Sequence, residues 1–107
     1  MSNYSLGIPA FYILFALTGG DRHGYGIMKD VLELSEGSVQ VGPATLYTNI
    51  RKLLDKGLLR ESGERVSPEL DDQRRRYYCL TTEGLALVRS ELNRMNKLIT
   101  TFKMRTL

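Results

Sequence analysis

Apolar residues recur with a helical period in four stretches of the chain, and with a shorter, strand-like period between the third and the fourth. After Pro9 the segment FYILFALT reads as a helix that stops at Gly19-Gly20, apolar on almost every side instead of along one stripe. A helix apolar all round is buried all round. A small domain seldom covers one helix so fully, so Phe11, Tyr12 and Phe15 are expected to be buried with the help of another chain. Residues 25–34 place Ile27, Met28, Val31, Leu32 and Leu34 at the spacing of an amphipathic helix, with Gly37 as its stop. A third helix follows Gly42-Pro43, proline being favoured at a first helical position, and its inward stripe is Leu46, Ile50, Leu53 and Leu54 before Gly57 ends it.

The period then shortens. Residues 58–63 and 75–80 are short runs, with β-formers in the second, around a polar loop containing Ser67-Pro68 and Asp71-Asp72, and together they read as a hairpin with a long tip. On the second strand Tyr78 and Leu80 share one face and Tyr77 and Cys79 the other. Thr81 or Thr82 can cap a final helix, with Glu83 in the first turn where a carboxylate suits the helix dipole. That helix carries Leu85, Val88, Leu92, Met95, Ile99 and Phe102 at spacings of 3, 4, 3, 4 and 3. Such a stripe is a seam for another helix, though it falls short of the roughly three to four heptads of an autonomous coiled coil. The helix either lies across its own domain or packs against a second chain. Leu87 and Leu98 lie off the seam, and the first helix is also short of partners; both surpluses are met by a homodimer with reciprocal packing.

The order helix, helix, helix, hairpin, helix is the plan of a mainly α winged helix-turn-helix with a two-stranded β-wing and a long C-terminal dimerisation helix. A chain of 107 residues fits one domain with an appendage, divided as residues 1–80 for the winged module and 81–107 for the dimerisation helix. With 42% hydrophobic and 25% charged residues the chain is neither disordered nor collagenous, and one cysteine excludes an internal disulfide and fits a reducing cytoplasm. The net charge of +3 is only mildly basic, but it is unevenly placed. Residues 1–42 balance at −2; residues 43–60 carry Arg51, Lys52, Lys56 and Arg60 against Asp55 alone; the acids of the hairpin fall before the trio Arg74, Arg75 and Arg76; and residues 82–107 return to +3.

These clusters bear on double-stranded DNA. In a winged helix-turn-helix the third helix enters the major groove and the wing reaches an adjacent phosphate backbone. With Leu46, Ile50, Leu53 and Leu54 inward, Thr45, Thr48, Asn49 and Lys52 face solvent. Asn can pair bidentately with adenine, Thr can offer a hydroxyl or touch a thymine methyl, and Lys can reach guanine or phosphate. The helix start at Pro43 adds backbone N–H donors suited to a phosphate. Tyr47 flanks the inward stripe and is either a packed aromatic or a phosphate ligand. The arginine trio beside a basic helix favours DNA over a merely solvated edge.

Other chemistry is thin. The apolar run 8–17 is about half the ~20 residues of a membrane span, and no cation precedes it as in a secretory signal, so no membrane partner is expected. Gly24 and Gly26 lack a preceding strand and a third glycine, so a tight turn outweighs a phosphate loop. His23 has no partner at ligand spacing and is expected in a loop or as a cap, not on a metal. Cys79 reads as a small packed side chain. Glu69, Asp71 and Asp72 read as an ordinary acidic tip. No base stands beside a nucleophile, so neither catalysis nor a cofactor is expected. The rival class is a winged-helix protein-interaction module without DNA, which would show little response to salt.

The stretches HGYGIMKDVLELS, GPATLYTNIRKLLDKGLLRES and RRRYYCLTTEG resemble the PadR family of bacterial transcriptional regulators, over about residues 6–104. The resemblance implies a dimeric winged-helix repressor, often released from DNA by a small-molecule effector, whose short branch exchanges a single C-terminal helix with the partner's first helix. It also implies DNA contacts at Thr45 and Tyr47 of the TLY motif, at Asn49 and Lys52, and at wing residues Arg74, Arg75 and Arg76. Thr48 stands where the family usually has proline, which bears on the base that is read. The tryptophan frequent in the first wing strand is absent, which argues against a flat-aromatic sandwich.

Overall fold

The computed structural model describes residues 6–62 and 76–107. Its elements run α1 (Ile8–Ala16), a 3-10 turn (Leu17–Gly19), β1 (Arg22–His23), α2 (Gly24–Leu34), α3 (Pro43–Asp55), β2 (Leu59–Glu61), β3 (Tyr77–Leu80) and α4 (Thr82–Arg105). The fold is the expected mainly helical winged helix-turn-helix, with one addition: the sheet has three strands in the order β1-β3-β2, all antiparallel. β1 is two residues long and pairs Arg22 with Tyr78 and His23 with Tyr77. Nothing local makes Arg-His a strand; it is extended because β3 supplies the partner.

The helix boundaries follow local chemistry. α1 ends at Ala16, three residues short of the predicted glycine stop, because the chain tightens into the 3-10 turn. α2 is capped by His23, whose Nδ1 accepts from the Gly26 N–H at 3.1 Å. At its other end the Gly37 N–H returns to the Leu32 carbonyl. The turn into α3 is organised by buried Ser35, whose Oγ accepts from the Val39 N–H at 2.9 Å. α4 is capped by Thr81, which accepts from the Gly84 N–H at 3.0 Å and donates to the Gly57 carbonyl at 2.6 Å. That bond ties the start of α4 to the end of α3. Gly84 is obligatory here, since a Cβ would lie 1.9 Å from the Leu58 carbonyl oxygen.

The core is one cluster under α1, α2 and α3. Ile13, Leu14, Ile27, Val31, Leu46, Leu53 and Leu59 are fully buried. Each contributes about 1.5–3 kcal/mol relative to an exposed side chain. α4 adds Val88 to this core and then leaves it: every residue from 92 to 107 is exposed. At 1.5 Å per residue the 24-residue helix is about 36 Å long. It gives the molecule extents of 58 × 33 × 22 Å. The helix projects from its own domain instead of lying across it.

Candidate nucleic-acid interface

Because Leu46, Ile50 and Leu53 are buried, α3 turns a polar row outward: Thr45, Thr48 and Lys52 are exposed at spacings that place them on one face. Asn49 is half-buried beside them, and its Nδ2 donates to the Thr45 carbonyl at 2.9 Å. That uses one N–H and leaves the amide oxygen and the second N–H for another partner. Exposed Pro43 occupies the first helical turn, and the N-cap, Gly42, supplies no side-chain acceptor. The first-turn amides of α3 therefore lack the side-chain bond that His23 gives α2 and Thr81 gives α4. An uncapped helix start attracts an anion. Beside it a groove of about 470 Å³ runs between α2 and residues 40–42, with Tyr25, Met28, Lys29 and Gln40 among its lining.

Tyr47 is turned the other way. It is half-buried, and its phenol lies so close over Gly24 that a Cβ there would sit 2.3 Å from the hydroxyl. Tyr47 thus packs α3 against the start of α2. His23 serves as the cap of α2 and stacks edge-on to Tyr77 at 5.4 Å.

The wing approaches α3 through its root. Glu61 pairs with Tyr78, and Arg76 stands two residues before Tyr78, just ahead of β3. The Arg76 Nη1 lies 3.2 Å from Glu61 Oε2. Tyr78, on the central strand, is buried in the core, and its pKa is raised, first by burial and then by the Glu61 and Tyr47 charges, with Arg76 opposing. On the other side of Tyr78, Arg22 binds Asp30 at 3.3 Å and donates to the Ala16 carbonyl at 3.1 Å. Sequence reasoning missed both arginine–carboxylate pairs, because one depends on how β1 leads into α2 and the other on the register of β2 and β3. Arg74 and Arg75, like the acidic tip residues Glu69, Asp71 and Asp72, lie outside the described residues.

The residues expected at a dimer seam fall into two groups. Phe11, Tyr12 and Phe15 are half-buried on α1, with Phe11 in ring contact with Tyr12 at 5.9 Å and with Phe15 at 6.0 Å. On α4 the exposures of Leu85, Leu92, Met95, Ile99 and Phe102 are 40%, 40%, 41%, 50% and 66%, whereas Val88 is 2% exposed and belongs to its own core. The open stripe thus has Leu85 before Val88 and runs on from Leu92 beyond it. Cys79 is buried. Among the described residues no group of His, Cys, Asp and Glu could hold a metal, and no helix is long and apolar enough to cross a membrane.

Comparison with known proteins agrees with this geometry. The family model described as "Transcriptional regulator PadR-like family" matches residues 13–90. No curated protein matches the chain. Among solved structures, a transcriptional regulator from Clostridium thermocellum is 22% identical with a TM-score of 0.69, covering 90% of this chain and 87% of that one. Bacillus subtilis PadR in complex with operator DNA is 21% identical with a TM-score of 0.67, covering 80% of this chain and 47% of that one. Bordetella bronchiseptica BpsR, whose DNA binding is regulated by 6-hydroxynicotinic acid, is 22% identical with a TM-score of 0.69, covering 94% and 67%. At these identities the structural likenesses speak for the fold.

Proposed function

The chain belongs to the PadR-like family of transcriptional regulators, and from that premise we propose that it is a cytoplasmic, homodimeric repressor that binds a pseudo-palindromic DNA site. The observation that carries this is α3, which buries its apolar stripe and leaves Thr45, Thr48 and Lys52 outward behind an uncapped N-terminus. In this reading Asn49 and Thr45 meet base edges, Lys52 and the α3 amides at Pro43 meet the backbone, and wing residues Arg74, Arg75 and Arg76 flank them. The likeness to Bacillus subtilis PadR, whose structure is a complex with operator DNA, supports the DNA-binding reading.

A second copy is the natural cover for α4. Residues 89–105 carry Arg89, Arg94, Lys97, Lys103 and Arg105 against Glu91, whereas residues 6–42 carry Asp21, Asp30, Glu33 and Glu36 against Arg22 and Lys29. A basic arm with an apolar stripe therefore complements the acidic half of a partner, whose Phe11, Tyr12 and Phe15 are incompletely covered. Two such copies set their α3 helices about 34 Å apart, one turn of DNA. A small-molecule effector would sit in the seam near Phe11, Phe15 and Phe102 and act by preferring one spacing of the two wings. The alternative, a protein-interaction module, lacks the steep salt response that phosphate contacts impose. A gel shift with DNA from upstream of the chain's own gene, at two salt concentrations, separates them: retention that falls steeply with salt supports the proposal, and retention absent or indifferent to salt contradicts it.

A further inference from the structure

The two arginines that flank Tyr78 are held differently. Arg22 has two protein partners, the Asp30 carboxylate and the Ala16 carbonyl, and ties the end of α1 to α2. Among the described residues Arg76 has one side-chain partner, Glu61, with both side chains about two-fifths exposed (42% and 41%). One contact leaves most of the five-donor guanidinium fork open, and that fork fits carboxylate and phosphate alike. Glu61 is the last residue of β2, directly opposite Tyr78, so it faces Arg76 diagonally across the ladder at the root of the wing. The 3.2 Å contact between them places the two charged groups on the same side of the wing root. By contrast, among the described residues Arg51, Lys52 and Arg60 are exposed without a carboxylate partner. Among the described residues around the proposed interface, Arg76 is a cation already occupied by a carboxylate.

We propose that Glu61 is a resident competitor for DNA: its carboxylate occupies Arg76 in the free protein, where a phosphate takes its place in the complex, and so lowers affinity for DNA of every sequence. The inference rests on the DNA-binding reading above. The exchange trades one charge-assisted contact for another on an exposed side chain, so it proceeds without unfolding the wing. It also removes repulsion only if Glu61 turns away, so the carboxylate weakens every complex it does not leave. Exposed pairs of this kind shift an equilibrium by roughly twofold to fivefold. Base contacts on α3 are untouched, so sequence preference is preserved while the electrostatic part of binding is restrained.

The test uses the full chain as wild type, Glu61→Gln, Arg76→Gln and the double variant, with fluorescence anisotropy on two labelled duplexes at two salt concentrations. One duplex comes from upstream of the chain's own gene and the other has a shuffled sequence. Glu61→Gln is expected to tighten both duplexes by roughly twofold to fivefold per protomer and to steepen the fall of log K with log salt by about 0.9 per protomer. In the Arg76→Gln background the same change is expected to give a clearly smaller gain, what remains being general repulsion. Looser binding by Glu61→Gln would overturn the proposal, because Glu61 would then orient Arg76 toward the backbone. A gain of equal size without Arg76 would overturn it too, since general repulsion would suffice. Binding by wild type with no gain in Glu61→Gln overturns the competitor alone, whereas binding of neither duplex by either protein overturns the DNA-binding reading and the competitor with it.

Discussion

Helix α3 hides Leu46, Ile50 and Leu53 within its own domain and turns Thr45, Thr48 and Lys52 outward; beyond Val88, helix α4 buries no side chain and turns Leu92, Met95, Ile99 and Phe102 outward. Both are amphipathic, and the difference lies in which face the domain uses. In α3 the apolar face is satisfied, so what remains is hydroxyl, amide, ammonium and open backbone N–H, chemistry suited to a polyanion. In α4 the apolar face is left over, and only another apolar surface satisfies it. The first interface should weaken with salt. The second should weaken with dilution.

The largest effect should come from α4. Ile99→Asp places a carboxylate in the proposed seam, which should raise the dimer dissociation constant at least ~100-fold and leave the monomer folded, because Ile99 touches none of the buried core. Sedimentation velocity at several concentrations checks this, and an unchanged oligomer would remove α4 from the interface. Next comes the joint between the two regions. Gly84→Ala drives a Cβ into the Leu58 carbonyl. Backbone on both sides has little room to move, so a loss of about 2 kcal/mol is expected in chemical denaturation. A smaller and more selective change is Asn49→Ala. Since Asn49 already bonds the Thr45 carbonyl, its loss should relax base preference by about 1 kcal/mol, the low end for a base-edge contact. Competition between site variants reads that out, and an intact preference would shift base reading to Thr45 and Thr48.

The smallest expected effect belongs to Tyr78, which sits at the root of the wing. Its pKa is raised in the folded protein by burial and by the Glu61 and Tyr47 charges. The neutral phenol is therefore favoured in the fold: the contribution is complete below the ordinary tyrosine pKa of about 10 and is lost as pH climbs through the raised value. Thermal melts should fall more steeply above that pH in wild type than in Tyr78→Phe, and parallel curves would contradict the assignment.

Much of this was legible in the sequence, for identifiable reasons. The four helices follow from apolar spacing and from glycine and proline punctuation, both local properties. The heptad stripe of α4 also foretold an unpartnered face, because its apolar positions outnumber what one small domain can cover. β1 was not legible, since Arg22 and His23 are extended only through pairing with β3. Register hid the Arg76–Glu61 pair in the same way: the two residues are 15 apart in sequence and meet only once Glu61 stands opposite Tyr78. Tyr47 was ambiguous because the close approach of Gly24 decides its direction. For Val88, the heptad pattern says that a face is apolar but not where along the helix the domain stops covering it.

The measurement that bears most directly on the outward face of α3 is the salt dependence of operator affinity for wild type and Lys52→Ala, taken side by side. If Lys52 meets a phosphate, the slope of log K against log salt should become shallower by about 0.9 per protomer, at every DNA sequence tried. An unchanged slope with unchanged affinity would mean that the exposed row of α3 does not face DNA, and would contradict the account.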